Sequence, residues 1–396
     1  MVESSLAEKQ ALAPQWAAFL SLGFRPLYVV GCTWAVVSIF LWIYTPQWLT
    51  GVLAGMLWHA HEMLWGFVAT IAVGFLFTAS ANWTGTNPLH GRPLGGLTLL
   101  WIFARIGFLL PGALAFSIAS LCELLFFGIA ALALGQVIYR KSSSQRNYGI
   151  PLLVLGLGVA DGLFLWFTQQ GDYVWLMESY RAGLLCMAVI ALLIARRVIP
   201  FFAMRAVQGL SIPMLTGSGQ WQLAAGIFAI ALLLAGWMTA AAIALAIAGL
   251  LALWQLFSWK PWAVRRVPIL WILYVGYAGL GIGLLVAAAY SMGWITRAAW
   301  PMHTIGVAGF SVLIIGMVTR TALGHLGRPL RTDRSMVIAY VLVITAALLR
   351  IAALLPTPYV LELLHGSAAV WILAFALYLW RFFPMLIRPR ADQLFR

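Results

Sequence analysis

Charge is scarce in this chain. Of its 396 residues only 9% are Asp, Glu, Lys or Arg, against about 25% in soluble proteins, so a water-soluble globular fold is excluded. Acidic groups are rarer still, with 10 Asp and Glu against 24 Lys and Arg. Cysteine is nearly absent: Cys32, Cys122 and Cys186 are scattered through apolar runs, which excludes a disulfide framework and a CxxC metal site. Long polar stretches are missing, so no soluble domain is expected. The short alternating strands of a membrane barrel are missing too. The start of the chain has no basic n-region, short h-region and cleavage site in series, so no cleavable signal peptide is expected.

What is present is 63% hydrophobic residues, gathered in recurring apolar runs of about 20, the length that crosses a bilayer as a helix. The reading is an all-α, polytopic membrane bundle forming one integral membrane domain over 1–396. About twelve spans fall near 23–45, 55–80, 95–110, 114–138, 149–168, 177–195, 221–237, 239–258, 268–290, 298–320, 335–355 and 362–381. No internal repeat is evident. Basic residues cluster in alternate loops: "YRKSSSQRN", "RRVIPFFAMR", "KPWAVRR", "RTALGHLGRPLRTDR" and "RFFPMLIRPR". The positive-inside rule then places these segments and both termini in the cytoplasm. The net charge of +14 reports topology, and no nucleic-acid partner is expected because no water-facing basic domain exists.

Against this background "WHAHEM", Trp58 to Met63, is conspicuous. His59, His61 and Glu62 fall in the outer part of the second span, His303 at a similar level of the tenth, and His365 at the start of the twelfth. His90 and His325 fall on the cytoplasmic side. Ionisable groups in a bilayer mark functional sites by default. On a helix turning about 100° per residue, His59 and His61 diverge, while Glu62 is one turn from His59. Gly55 and Gly66 share that face, and Gly306, Gly309 and Gly316 form a stripe below His303. Such stripes leave room for a flat macrocycle or for a neighbouring helix. Imidazole is a common axial ligand of haem. His303 and His325 are 22 residues apart, about 33 Å on a straight helix. One metal cannot use both; either His325 serves a second, inner haem, or the span is broken at its glycines. Glu123 and Asp161 are further intramembrane carboxylates, read as proton-path members or as partners of Arg105, Arg181 or Arg350.

Several blocks in order resemble one family. They are "LGFRPLY" from Leu22, "WHAHEMLWGF", "GFLFTASANWTG" from Gly74, "RNYGIPLL", "RRVIPFF", "HTIGVAGFSVLIIGMVTRTALGHLGRPL" from His303, "AALLR" and "WRFFPMLIRPR". The chain resembles the NnrS family, polytopic membrane proteins associated with haem, copper and the bacterial nitric oxide response. The resemblance implies haem of b type, copper, nitric oxide as ligand or substrate, and a multi-pass protein of the bacterial inner membrane in contact with lipid. His59, His61, His303 and His325 are the expected metal and haem ligands, and Glu62 the expected proton donor. Arg25, Arg105 and Arg328, with Arg92, are the expected propionate partners. Met63 and Met302 flank the histidines and suit copper, though no spacing fixes a copper site. His90 and His365 lie outside the family pattern.

Two functions follow. One is an enzyme reducing or detoxifying nitric oxide, with electrons from quinol or a redox protein. The other is a non-enzymatic haem protein that binds or senses nitric oxide, or handles metal or nitrosyl-iron species. A secondary transporter is disfavoured by the lack of a repeat and of paired broken helices.

Overall fold

The computed structural model describes residues 13–141, 145–213 and 215–393. The chain termini and Ser142–Ser144, part of the first basic loop, lie outside the described residues. The protein is helical, with 12 helices long and apolar enough to cross a membrane and no strand among the described residues. Backbone groups in lipid must be satisfied internally, and a run of apolar side chains leaves the helix as the means of doing so.

The spans are α1 (Phe24–Tyr44), α2 (Gly55–Thr84), α3 (Gly91–Leu109), α4 (Ala113–Lys141), α5 (Gly149–Gln170) and α6 (Tyr173–Ala206). They continue as α7 (Thr216–Leu234), α8 (Met238–Ser258), α9 (Pro268–Ser291), α10 (Ala299–His325), α11 (Arg334–Ala352) and α12 (Val360–Leu386). All twelve sequence-based spans correspond to these, but several helices are longer. α6 carries "RRVIPFFAMR", expected as a loop, as helix through Pro200. Arg and Pro punctuate the hydropathy there without ending the helix, because the apolar Val198, Ile199, Phe201 and Phe202 interleave them.

Helix ends are set locally. α2 opens at Gly55 with φ +59° and closes at Gly85, whose φ of +70° lets its N–H reach Ala81 O at 2.9 Å, a left-handed stop that suits glycine. α6 begins where Asp172 Oδ1 accepts from the Trp175 N–H at 3.2 Å.

Two spans are not uniform α-helix, and they share one construction. In α2 an α-helical turn ending at His61 gives way to a π-helix over Glu62–Ala69. In α10 a turn ending at His303 gives way to a π-helix over Thr304–Ser311. A tryptophan stands three residues before each histidine, Trp58 and Trp300. The sequence showed no repeat because only the tryptophan, the histidine and a later glycine (Gly74 and Gly316) coincide in type. A π-turn offsets carbonyls from their usual donors, and here side chains take them. Thr70 Oγ1 donates to Trp65 O at 3.1 Å and Gly66 O at 3.0 Å, Trp101 Nε1 donates to Gly66 O at 3.2 Å, and Ser311 Oγ donates to Gly306 O at 2.8 Å. Such segments recur at functional sites.

The chain divides into two compact units. The first takes the described residues up to Gly162 with Val318–Met336 and those from Phe375 onward; the second takes Leu163–Met317 and Val337–Ala374. In the first, α1 packs along α2 and α3 along α4; in the second, α7, α8, α9 and the π-segment of α10 pack in series. The glycines Gly276, Gly279 and Gly283 of α9 let α10 approach closely: a Cβ on Gly279 would collide with the Ala308 carbonyl.

Candidate functional site

In the first unit, spans α2 to α5 each send ionisable side chains to one buried point. α2 supplies His61 and Glu62, α3 Arg105, α4 Glu123 and α5 Asp161, and all five are at most 2% exposed. His61 is the hub. Its Nδ1 lies 3.0 Å from Glu62 Oε1, and its Nε2 lies 3.0 Å from Asp161 Oδ1 and 3.4 Å from Glu123 Oε2. Arg105 forks between two acids, Nη1 to Glu62 Oε2 and Nη2 to Glu123 Oε2. Trp34 Nε1 from α1 donates to Glu62 Oε2 at 2.6 Å. Aromatic rings close the site: Phe108 lies edge-on to His61 at 4.9 Å and Trp65 at 5.4 Å, and the Arg105 guanidinium lies over the rings of Trp101 and Phe108. Glu123 Oε1 and Asp161 Oδ2 are buried and accept no hydrogen bond from the described residues.

This geometry corrects the helical-wheel reading of WHAHEM. Glu62 pairs with His61 and not with His59, because Arg105 and Trp34 draw its carboxylate into the crevice where His61 already lies. The side of Gly66 expected to give room is filled: a Cβ there would collide with Arg105, Glu62 and Trp34. The divergence of the two histidines is borne out, since half-buried His59 stacks on Trp42 of α1 at 5.2 Å and 8°.

His61 does not fit a haem. Both ring nitrogens face carboxylates and the rings of Phe108 and Trp65 pack close by, so neither nitrogen is turned to a macrocycle. Arg105 does not fit a propionate clamp, because its two Nη atoms face Glu62 and Glu123.

In the second unit, His303 ends the first turn of α10. Its Nδ1 lies 2.8 Å from Ala299 O; a carbonyl only accepts, so Nδ1 carries a proton, and in the neutral ring Nε2 is the unprotonated nitrogen. Ligating histidines hold this tautomer by the same backbone bond. One turn on, a Cβ at Gly306 would meet no atom within 4 Å. A flat group bound at His303 therefore has an open surface beside it. Gly309 and Gly316 behave differently: they pack on Leu280, Ile272 and Leu273 of α9. A cavity of about 260 Å3 is lined by Met302 and Ile305, near neighbours of His303 in sequence, with Met238, Leu245, Arg181 and Tyr290 also in its wall; His303 itself does not line it. Arg181 pairs with Glu178 at 2.5 Å and donates to Tyr290 Oη at 2.8 Å.

His325 ends α10, which runs unbroken from Ala299, so the broken-span alternative does not hold. Its ring lies 5.7 Å from Phe24. Arg25, 2% exposed, donates through Nη1 to Leu386 O at 3.0 Å and Arg388 O at 2.6 Å. Arg92 and Arg328 are exposed, as are His90 and His365. Met63 Sδ accepts from Ser38 Oγ at 3.6 Å.

Sequence reasoning named Glu123 and Asp161 but did not join them to His61. Glu123 does meet Arg105, one of the partners expected for it; Asp161 meets His61 instead of an arginine. The signal was available: α2 to α5 each bury at least one ionisable residue, and a buried charge needs a partner.

No curated protein matches the sequence. The family model described as NnrS protein matches residues 18–390, nearly the whole chain. A polytopic membrane protein with these features belongs to the NnrS family.

Proposed function

We propose that the protein binds haem through His303 and consumes nitric oxide in the bacterial inner membrane, reducing two molecules to nitrous oxide. Family membership supports a role in the nitric oxide response, and the observation that carries the haem assignment is His303. Its tautomer is set by Ala299, it heads a π-helical segment, and open space lies beside Gly306. His303 would hold the iron through Nε2, and haem when bound would supply a redox-active site for a diatomic ligand. Nitric oxide is neutral and lipid-soluble, so it needs no polar channel, and the mostly apolar cavity at Met302 and Ile305 suits its approach.

The reaction 2 NO + 2 e⁻ + 2 H⁺ → N₂O + H₂O needs an electron donor; a quinol or a small redox protein is the class proposed. His325 is the candidate ligand of a second, inner haem, with Arg25 and Arg328 toward its propionates. His59 and Met63 in the first unit, and separately Met302 in the second, remain candidate copper donors. We propose that both termini lie in the cytoplasm, which the basic loops support.

The test is an optical spectrum and pyridine haemochrome of purified protein, followed by nitric oxide consumption and nitrous oxide yield with a reduced quinol. H303A is expected to lose haem and consumption together. Haem retained in full by H303A sinks the assignment. Nitric oxide binding spectra without nitrous oxide establish the non-enzymatic reading in place of the enzyme.

A further inference from the structure

We propose that His61, Glu123 and Asp161 hold one divalent first-row cation, of the Fe²⁺, Mn²⁺ or Zn²⁺ class, separate from any haem. Three observations carry this. The first is geometric. Two ligands each about 2.1 Å from one ion, at about 90° to 110°, stand about 3.0 to 3.4 Å apart. His61 Nε2 lies 3.0 Å from Asp161 Oδ1 and 3.4 Å from Glu123 Oε2, and donor atoms of the three residues all lie within 4.8 Å of one another.

The second observation is charge. Among the described residues, Arg105 is the one permanent cation paired with Glu62, Glu123 and Asp161, and all four are at most 2% exposed. With all three carboxylates ionised two negative charges are left over, and protonating His61 would still leave one. Uncompensated charge at such burial costs several kcal/mol per ion. One divalent cation on a neutral His61 balances the cluster. The buried oxygens Glu123 Oε1 and Asp161 Oδ2, which accept no hydrogen bond from the described residues, are further donor capacity on the same two carboxylates.

The third is the outer arrangement. A metal-bound imidazole donates its other N–H to a carboxylate, which is itself held by hydrogen bonds. Glu62 stands on His61 Nδ1 at 3.0 Å, and Trp34 and Arg105 hold Glu62. The donor set contains one imidazole and two carboxylates and no sulfur, which disfavours Cu(I) and suits the harder divalent ions. Glu62 is then a positioning residue.

The experiment is elemental analysis of full-length protein purified from cells grown with added Mn²⁺, with haem iron subtracted by pyridine haemochrome. Wild type is expected to hold one non-haem divalent ion per chain, and D161N and E123Q none, with haem content and size-exclusion profile unchanged. E62Q, which keeps the three donors, is expected to bind Mn²⁺ about 10- to 100-fold more weakly. A wild type free of non-haem metal, after growth with and later incubation with Mn²⁺, overturns the proposal whether or not the variants fold. So does full metal retention in D161N and E123Q. The readout is independent of haem and of nitric oxide turnover, so it stands or falls apart from the proposed function.

Discussion

His61 Nδ1 lies 3.0 Å from Glu62 Oε1, although the two are neighbours in sequence. Adjacent helical residues do not normally face each other. These two do because Glu62 opens a π-helical segment and its carboxylate is pulled back by Trp34 and Arg105.

Arg105 is shared by two buried acids, Glu62 and Glu123. Arg105→Met removes the cation shared by Glu62 and Glu123 and leaves buried acids uncompensated. A loss of about 3–5 kcal/mol is expected, read as a large drop in detergent melting temperature or failure to accumulate in membranes. Arg105→Lys keeps the charge but not the fork and should fall between. A melting temperature unchanged in Arg105→Met would mean the cluster is not built on this ion pair.

Gly306 separates a binding surface from a packing contact. A Cβ there meets nothing within 4 Å, whereas one on Gly279 meets the Ala308 carbonyl. Gly306→Leu should therefore fold and melt like wild type but lose the haem held at His303. Gly279→Ala should be destabilised by about 1–3 kcal/mol through overpacking. Equal haem content in Gly306→Leu and wild type would remove the glycine from the haem surface.

His325→Ala tests the inner haem. Because α10 is continuous between His303 and His325, a haem held at His325 is distinct from one held at His303. The variant should lose part of the haem and one set of redox or optical bands, with the His303 signal retained. An unchanged haem-to-protein ratio would leave His325 as a helix-end histidine beside Phe24.

Asp333 gives a pH test outside the spans. Its Oδ1 accepts from Ser335 Oγ at 2.6 Å and from the Met336 N–H at 3.1 Å, capping α11, and its Oδ2 accepts from Arg381 Nε at 2.7 Å. Burial raises its pKa, but the Ser335 and Arg381 bonds outweigh this and hold the carboxyl below its usual range. A depressed folded-state pKa gives stability that is complete above the unfolded pKa of about 3.9 and is lost as pH falls through the folded value. Asp333→Asn keeps a capping oxygen and should flatten this acid loss. Asp333→Ala should cost about 0.5–2 kcal/mol at neutral pH through the lost cap. Melting curves of the three proteins from neutral pH to about pH 3 decide it.

The sequence by itself determined that this is a twelve-span helical membrane protein, because hydropathy is a local sum and lipid admits few other folds. It also singled out WHAHEM and His303, since polar residues in apolar runs stand out one at a time, and it fixed the divergence of His59 from His61 through helix pitch. Only the tertiary structure decided which groups meet. Arg105, Glu123 and Asp161 lie on three different spans, and their convergence on His61 depends on how α2 to α5 pack, which no period in the sequence encodes. The π-segments after His61 and His303 were equally hidden. Their offset carbonyls are satisfied in part by Trp101, Thr70 and Ser311, and in α2 the Trp101 donor comes from a separate helix. That is also why Gly66, expected to admit a macrocycle or a neighbouring helix, is filled by side chains from neighbouring spans, while Gly306, of the same residue type, is open.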